Sequence, residues 1–401
     1  MKYLVLIPDG AADYPVTQLG GKTPLEVARK PGMDYLARHG RGGLFETIPP
    51  GFTAGSAEAN LSILGYDPRK YFRGRGVLEA AALGIKLGVK DVALRCNTLY
   101  LQDGRIGSHS AGHISSAESA LLIESLNEKL GRQDIVFYPG ITYRHILVLK
   151  ESWSDQIFCF PPHDYVGQPI EELMVKPASP SGNATAELLN LLIKKSWPLL
   201  KEHPVNLKRI KEGQLPANSI WPWSPGRKPE MESFFSRFGI KGAVVAAVDL
   251  VKGLGVYCGF RVISVAGATG GYDTSYEAKA QACLNALNDH DLVYVHVEAP
   301  DEAGHEGNAD LKVRCLEDFD RRLVQPVLAG IENKEIAVAL LPDHFTPVSV
   351  RGHTPEPVPF VLFSPKIKPD GLLRFDENSC RSGSYGLLKG EQFIRTFLGQ
   401  I

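Results

Sequence analysis

Short apolar segments that alternate with amphipathic helical segments fill the second half of the chain and constrain its fold more than any other feature. The strand-like segments are Ala243–Val248, Arg261–Val265, Leu292–Val297, Ile336–Leu341 and Phe360–Phe363, and the helical ones are Tyr276–Leu287 and Leu311–Ala329. Strands separated by helices favour a parallel sheet, because each crossover helix returns the chain to the same edge. Tyr3–Ile7 adds a buried strand at the start. We predict an α/β fold whose mostly parallel sheet carries helices on both faces.

A different pattern occupies the middle of the chain. From Asp91 to about Lys150, short β-like segments surround one long amphipathic helix, Ser115–Leu130, which is typical of a separate α+β unit. Trp221–Pro229 is rich in proline and predicts turns on the way out of that unit. We therefore predict a smaller α+β domain at 76–214, inserted into a discontinuous domain formed by 1–75 and 215–401. Pro/Gly-rich connections near 66–76 and 215–230 are expected to act as hinges.

The charge balance restricts the kind of partner. The chain has 44 Lys and Arg against 45 Asp and Glu, so no bulk attraction to nucleic acid or to an anionic membrane is expected. No apolar segment approaches the roughly 20 residues of a membrane span. The six cysteines are scattered singly, which predicts reduced thiols and a cytoplasmic location. We expect a small anionic partner held by a local cluster; the composition indicates no oligomeric state.

Carboxylates and imidazoles follow the predicted strands of the α/β domain. They are Asp9, Asp301, His305, Asp343, His344 and His353. Asp301 and His305 are spaced i,i+4, which places them on one face if their loop takes a helical turn. The carboxyl ends of parallel strands meet at one edge of the sheet, where α/β proteins build their sites. Core packing would not favour carboxylates at these positions, so the pattern predicts a functional site.

The residue types at these strand ends indicate metal chemistry. Asp and His without Cys favour Mn²⁺, Zn²⁺ or Mg²⁺, and the number of ligands suffices for two ions. Ser56 follows a Gly/Pro-rich loop at a predicted helix start, where free N–H groups favour anions. Taken alone, Ser56 is better explained as a helix N-cap. Two ions beside an oxygen nucleophile are typical of phosphoryl transfer.

The order of these motifs resembles that of a known superfamily. Asp9, Ser56 in T-A-G-S, D-E-A-G-H, D-H and R-G-H-T follow one another as in the alkaline phosphatase superfamily. More closely, the chain is similar to the archaeal-type cofactor-independent (2,3-bisphosphoglycerate-independent) phosphoglycerate mutases. The similarity covers nearly the whole chain and includes Ile7–Gly10, Gly20–Pro24, Asn60–Tyr66 and Gly267–Gly270. It implies an alkaline-phosphatase-like sheet with a smaller inserted domain.

The resemblance also implies residue roles. Asp9, Ser56, Asp343 and His344 match the ligands of one metal ion, and Asp301, His305 and His353 match those of a second. Mn²⁺ is the first expectation, with Zn²⁺, Mg²⁺ or Co²⁺ as alternatives. Ser56 matches the nucleophile that becomes phosphoserine. The expected substrate is a small phosphorylated anion, and its candidate contacts are His113, Arg144, Arg227 and Lys252, with Arg73 and Arg75 as further candidates.

The implied reaction interconverts 3-phosphoglycerate and 2-phosphoglycerate, a step of glycolysis and gluconeogenesis. Ser56 would attack the phosphorus, and the trapped glycerate would reorient and take the phosphoryl group back on its other hydroxyl. Water has to be excluded, or the site becomes a phosphatase. Closure of the inserted domain is expected to exclude it.

Three other functions remain open at this point. Pro162–Asp164, Trp221–Trp223 and Val248–Gly253 are also similar to proteins proposed as homoserine kinases. The chain has no G-x-x-x-x-G-K-[ST] loop for a nucleotide, and a requirement for ATP would distinguish kinase from mutase. A plain phosphatase or sulfatase is disfavoured by the inserted domain. A non-enzymatic binding module would leave the metal-type residues at the strand ends unexplained.

Overall fold

Two compact units divide the chain in the computed structural model, which describes residues 1–400. Unit 1 comprises Met1–Phe72 and the chain from Glu230 onward, and unit 2 comprises Arg73–Pro229. The division after unit 2 therefore falls at Pro229, whereas we predicted 214.

The strands and helices are numbered in chain order. The strands are β1 (Lys2–Pro8), β2 (Arg41–Glu46), β3 (Val92–Gln102), β4 (Arg105–Ser108), β5 (Ile135–Ile141), β6 (Arg144–Leu149), β7 (Ile157–Phe158), β8 (Lys176–Pro177), β9 (Ser219–Arg227), β10 (Gly242–Val245), β11 (Arg261–Val262), β12 (Leu292–Val297), β13 (Ile336–Leu340), β14 (Val358–Phe363) and β15 (Leu387–Lys389). The helices are α1 (Pro24–Val27), α2 (Pro31–His39), α3 (Ser56–Ile63), α4 (Pro68–Tyr71), α5 (Arg75–Ala82), α6 (Ser116–Leu130), α7 (Asn183–Lys201), α8 (Pro204–Lys211), α9 (Phe234–Phe238), α10 (Asp249–Tyr257), α11 (Tyr276–Asp289), α12 (Ala299–Glu306), α13 (Ala309–Phe319), α14 (Gln325–Ile331), α15 (Glu377–Arg381) and α16 (Gln392–Phe397). Within residues 1–400, no helix combines the length and the apolar character needed to cross a membrane.

Unit 1 is built around one large sheet. Its strand order is β11-β10-β12-β1-β13-β14-β2-β15. From β11 to β13 all neighbours are parallel, whereas β14 is antiparallel to both β13 and β2. The predicted α/β class with a mostly parallel sheet is confirmed, although the strand predicted at Phe360–Phe363 runs against the others.

Both faces of the central strands are covered. All six residues of β12 are buried, and so are six of the seven residues of β1. Leu4 and Leu6 pack with Val293 and Val295 in a hydrophobic core that includes residues of α11 and α13. Because side chains alternate along a strand, Tyr294 and His296 of β12 point to the opposite face. Continuous apolar strands of this kind require helices on both sides of the sheet.

The sheet register aligns the ends of the central strands. Ile7 of β1 pairs with His296 of β12, and Leu6 pairs with Leu340 of β13. The three strands are parallel, so they end at the same edge, and the loops that follow them start side by side. This edge carries the candidate site.

A long helix predicted at Leu311–Ala329 is divided by a wide turn. Residues Asp320–Val324 form a π-helical turn between α13 and α14. Pro326 follows that turn and has no N–H to donate, while its ring would clash with a carbonyl one regular turn earlier. The wider turn accommodates the proline without ending the helix.

Unit 2 contains a second sheet of order β4-β3-β6-β5, and β9 pairs with β3. Our prediction of turns at Trp221–Pro229 was wrong, because most of this segment belongs to β9, which is antiparallel to β3. Prolines are tolerated there because β9 is an edge strand whose outer side needs no N–H donors. Trp221 and Trp223 are buried in the core of unit 2, which explains why this segment folds with it.

Candidate functional site

Three aspartates meet at the carboxyl edge of the large sheet. Asp9 follows β1 directly, Asp343 follows β13, and Asp301 lies in the first turn of α12. All three are buried. Buried carboxylates at one edge repel one another unless cations or hydrogen-bond donors compensate them, so the neighbouring side chains decide what this edge can bind.

His344 joins Ser56 to two of the aspartates. Its Nε2 lies 3.1 Å from Ser56 Oγ, 3.4 Å from Asp9 Oδ1 and 3.6 Å from Asp343 Oδ2. His344 is fully buried. Four side chains that we predicted as ligands of one metal ion therefore converge on one point in unit 1.

The other predicted ligands form a second cluster. Asp301 and His305 share one face of α12, as their spacing predicted, and His305 Nε2 is 3.3 Å from Asp301 Oδ2. His353 Nε2 is 3.4 Å from Asp301 Oδ1 and 2.9 Å from His305 Nε2. The rings of His344 and His353 have their centroids 4.0 Å apart, so the two clusters are adjacent.

Ser56 is the first residue of α3, and Gly55 occupies the N-cap position. The serine hydroxyl therefore does not cap the helix, which was the alternative explanation for its place in the sequence. Its Oγ is instead directed at the His344 imidazole. A hydroxyl at a helix start that faces buried carboxylates and an imidazole is suited to nucleophilic chemistry.

The electrostatics of the site reflect its excess of negative charge. Burial, together with the charges of Asp343, Asp301 and Glu298, raises the pKa of Asp9 well above its usual value. Burial alone would also raise the pKa of Asp301, but hydrogen bonds from His305 and His353 hold it well below its usual range. In return, Asp301 raises the pKa of His305 to about 9.

The donor set fits divalent cations. Asp9 Oδ1 is buried and has no hydrogen-bond partner among residues 1–400. Asp301, His344 and His353 each offer a ligand atom within 4.8 Å of the others. Carboxylate oxygens and imidazole nitrogens are the ligands that Mn²⁺ and Zn²⁺ accept. A divalent cation at this edge would coordinate the lone pairs of oxygens such as Asp9 Oδ1, to which no described side chain donates a hydrogen bond.

Two further candidate ligands beside this site escaped the sequence analysis. His296 Nε2 is 3.1 Å from Asp9 Oδ2, and Asp9, His296 and Asp343 form a further group whose ligand atoms lie within 4.8 Å of one another. Glu298 forms such a group with Asp9 and Asp301. Burial lowers the pKa of His296 to about 4, so its ring is neutral. His296 and Glu298 lie at the end of the strand predicted at Leu292–Val297. Their closeness in sequence to Asp301 was the signal that could have identified them.

Asn60 and Tyr294 support the site from beneath. Asn60 lies one helical turn after Ser56, and its Nδ2 donates to Ser56 O at 2.7 Å and to Asp343 Oδ2 at 2.9 Å. The hydroxyl of Tyr294 donates to Asn60 Oδ1. The i,i+4 spacing from Ser56 was a signal for Asn60, whereas nothing in the sequence pointed to Tyr294.

The predicted substrate contacts divide between the units. In unit 2, Arg144 and Arg75 lie near enough to Arg95 to lower its pKa, after burial, which is the larger cause. His113 acts in the same way on His109. Arg95, Arg75 and His109 all lower the pKa of His163, after burial, which is the larger cause, so unit 2 holds one cluster of these side chains, and Arg95 is a member that we had missed.

Arg227 and Lys252 have other partners. The guanidinium of Arg227 donates to the carbonyl oxygens of Lys90 and Trp153, and its Nε is 3.4 Å from Asp155. Its proposed contact with substrate stays a prediction, which this geometry disfavours. Lys252 in unit 1 donates to Asp249 at 3.1 Å.

Comparison with known proteins gives one consistent result. The family model for 2,3-bisphosphoglycerate-independent phosphoglycerate mutase matches residues 37–206. A mutase of that name from Methanosarcina barkeri is 50% identical over 397 residues, which cover 98% of each chain. Another from Methanothrix thermoacetophila is 50% identical over 400 residues and covers 99% of this chain and 100% of its own.

Solved structures agree with the sequence comparison. A protein from Pyrococcus horikoshii has a TM-score of 0.85 and 32% identity, and the match covers 100% of this chain and 98% of that one. The cofactor-independent phosphoglycerate mutase from Thermoplasma acidophilum has a TM-score of 0.69 and 30% identity, and covers 100% and 99%. The match at half-identity over nearly the full length settles the family: this chain belongs to the 2,3-bisphosphoglycerate-independent phosphoglycerate mutases.

Proposed function

We propose that this chain interconverts 3-phosphoglycerate and 2-phosphoglycerate without 2,3-bisphosphoglycerate, through a phosphoserine at Ser56. The observation that carries the proposal is the convergence of Ser56, Asp9 and Asp343 on His344 in unit 1. Relatives of known family that match nearly the whole chain support it. A cytoplasmic location goes with this reaction.

The first transfer forms a bond between Ser56 Oγ and phosphorus and breaks the ester bond to the 3-oxygen of glycerate. Ser56 gives up its hydroxyl proton, and the departing glycerate oxygen takes one up. In the second transfer the 2-hydroxyl of the retained glycerate attacks the phosphoserine, which regenerates the serine hydroxyl. The side-chain amide of Asn60 donates to the backbone carbonyl of Ser56. This hydrogen bond would keep the start of α3 in place during both transfers.

We assign one divalent ion to Asp9, Ser56, Asp343 and His344, and a second to Asp301, His305 and His353, with Mn²⁺ as the first choice. When bound, such ions offset the charge of the phosphoryl group and lower the pKa of a coordinated hydroxyl. The carboxylate of Asp343 is oriented by the backbone, because its Oδ1 accepts hydrogen bonds from the N–H groups of Gly10 and His344.

The cationic side chains of unit 2 are assigned to the substrate. His113 and Arg144 would bind the carboxylate or phosphate of the glycerate, and Arg75 and Arg95 belong to the same electrostatic cluster. Guanidinium groups suit this role because they pair with carboxylate and phosphate through two parallel hydrogen bonds.

The test is incubation of the purified protein with 3-phosphoglycerate and Mn²⁺, without 2,3-bisphosphoglycerate or ATP, followed by ³¹P NMR. We expect 2-phosphoglycerate to appear and Ser56→Ala to abolish it. Ser62→Ala is the matched control, because Ser62 lies on the same helix and its hydroxyl donates to Glu58 O at 3.1 Å, away from the predicted ligands. Undiminished turnover in Ser56→Ala would rule out the nucleophile.

The same experiment separates the alternatives. Release of inorganic phosphate in place of 2-phosphoglycerate would identify a phosphatase. Turnover of homoserine that requires ATP would identify a kinase, and metal binding without any turnover would leave a binding module.

A further inference from the structure

Thr346 is held rigidly between the two clusters of predicted metal ligands. It lies in the loop after β13 and is fully buried. Its backbone N–H donates to Ala12 O at 3.2 Å, and its carbonyl accepts from the buried Lys312 Nζ at 2.8 Å. Lys312 also contacts Ala12 O and Asp13. The main chain at Thr346 therefore has little freedom to move.

The hydroxyl of Thr346 contacts one side chain from each cluster. Its Oγ1 lies 2.5 Å from Asp301 Oδ1 and 3.1 Å from His344 Nδ1. A hydroxyl has one proton to donate and two lone pairs that accept. Its two neighbours therefore compete for a single proton.

Counting protons decides the direction of both hydrogen bonds. A carboxylate oxygen accepts, and Asp301 Oδ1 lies 2.5 Å from the Thr346 hydroxyl that donates to it. The threonine proton therefore goes to Asp301 Oδ1, and Oγ1 offers only a lone pair to His344. His344 Nδ1 has to be the donor in that contact and must carry a hydrogen.

The other nitrogen of His344 follows from this assignment. The imidazole that ligates a metal ion is the neutral form, which carries one proton. With that proton on Nδ1, Nε2 bears a free lone pair, and this is the nitrogen that faces Ser56 Oγ, Asp9 Oδ1 and Asp343 Oδ2. The opposite tautomer would direct a proton at the position where a ligand atom is needed.

We propose that Thr346 is a positioning residue that fixes His344 in the Nδ1–H tautomer and orients Asp301 through the same hydroxyl. One side chain then prepares both clusters before any cation or substrate arrives. The inference deepens the proposed function, and only its catalytic consequence rests on that function, because the tautomer is a property of the metal-free protein.

The decisive experiment is NMR of the metal-free full-length enzyme labelled with ¹⁵N-histidine, with the His344 signals assigned by their loss in His344→Asn. We expect wild type and Thr346→Ser to show a protonated Nδ1 and an unprotonated Nε2. In Thr346→Val, which removes the hydroxyl and keeps the shape, we expect the Nδ1–H form to lose its dominance. A wild-type His344 protonated at Nε2 would overturn the proposal.

Calorimetric titration with Mn²⁺ supplies a second readout. We expect Thr346→Val to weaken Mn²⁺ binding about 10–100-fold, the usual effect of losing a residue that supports a metal ligand, and Thr346→Ser to restore it. Thr47→Val is the matched control, because Thr47 is equally buried and its hydroxyl has no partner in the described part of the chain. Wild-type affinity in Thr346→Val, with an unchanged tautomer, would also overturn the proposal.

The outcomes separate this inference from the proposed function. A correct tautomer in a protein that does not interconvert phosphoglycerates refutes the function and leaves the role of Thr346 standing. Normal mutase turnover with His344 protonated at Nε2 refutes the role of Thr346 and leaves the proposed function standing. If Thr346→Val does not fold, the wild-type tautomer and the Thr346→Ser titration still decide the question.

Discussion

Glu377 is a buried carboxyl group of unit 1 that lies outside the candidate site. Its side chain accepts hydrogen bonds from the N–H of Asp13 at 2.9 Å and from the hydroxyl of Thr23 at 2.7 Å. Burial nevertheless raises its pKa from 4.5 to about 7. The folded protein therefore holds a proton there that the unfolded chain releases at lower pH.

This shift predicts a loss of stability as the pH rises. The contribution of Glu377 is complete below about pH 4.5 and is lost as the pH rises through about 7, which corresponds to about 3 kcal/mol. In Glu377→Gln, the amide oxygen can accept from the Asp13 N–H and the NH2 group can donate to the Thr23 hydroxyl, and the variant should lose this part of the pH dependence. Chemical denaturation of both proteins at pH 5 and pH 8 measures it. Glu335→Gln, at an exposed surface ion pair with Lys366, is the control and should not remove it.

The hydroxyl of Tyr294 supports the site through its hydrogen bond to Asn60. Tyr294→Phe leaves the buried Asn60 Oδ1 without its donor, which should cost about 1–3 kcal/mol. Because Asn60 binds both Ser56 O and Asp343, we also expect turnover to fall by about tenfold. Tyr66→Phe removes the hydroxyl of an equally buried tyrosine, which donates to Glu232 O at 2.9 Å, and should lower stability without lowering turnover. Equal turnover in the two variants would contradict a role for Tyr294.

At the scale of elements, the turn after β1 brings the backbone close to both clusters. Gly10 has a φ of +59°, and a Cβ there would lie 2.5 Å from Asp301 Oδ1 and from Thr346 Oγ1. Its N–H donates to Asp343 Oδ1 at 3.1 Å. Glycine is thus required for two separate reasons, the left-handed backbone and the space occupied by the site.

Gly10→Ala should therefore do more than strain the turn. The left-handed conformation costs an alanine roughly 1–2 kcal/mol, and displacement of Asp301 should weaken Mn²⁺ binding at least tenfold. Gly20→Ala is the matched control, because its φ is +69° and a Cβ there meets nothing within 4 Å. Thermal unfolding should show a similar shift for both variants, whereas calorimetric titration should show weaker binding for Gly10→Ala only. Equal affinities would contradict the steric argument.

Strand direction explains why β1, β12 and β13 contribute residues to the site and β14 does not. These three strands are parallel and adjacent, so their carboxyl ends deliver Asp9, Asp301 and Asp343 to one place. β14 is antiparallel to β13, and its carboxyl end, which lies at the other edge of the sheet, contributes no ligand to the clusters described above. Strand direction therefore excludes the loop after β14 from the site, although the parallel β10 also ends at the ligand-bearing edge.

At the scale of the whole molecule, all seven predicted metal ligands belong to unit 1. Removal of cations should therefore leave the buried carboxylates of unit 1 uncompensated and loosen the loops that carry them. We expect a chelator to increase hydrogen exchange around Asp9, Asp301 and Asp343, and Mn²⁺ to reverse the effect. Unit 2 serves as the internal control, since β3, β6 and β9 should exchange at the same rate in both states. Unchanged exchange in unit 1 would argue against metal ions at these side chains.

Much of this organisation was accessible from the sequence. Continuous apolar segments predicted the central strands, and the i,i+4 spacing of Asp301 and His305 predicted their common helical face. β9 was missed because its prolines suggest turns, and only its pairing with β3 as an edge strand makes them acceptable. The wide turn at Asp320–Val324 was missed because a helical pattern continues through it.

The sequence by itself determined the α/β class, the order of the motifs and the chemical types of the ligands, because these depend on local periodicity and on residue identity. Only the tertiary structure decided which side chains share a proton or a lone pair. Thr346 contacts Asp301 across 45 residues, and Tyr294 contacts Asn60 across 234, distances over which no local pattern in the chain carries information. Hydrogen-bond direction depends on all partners at once, so the tautomer of His344 is a property of the folded site.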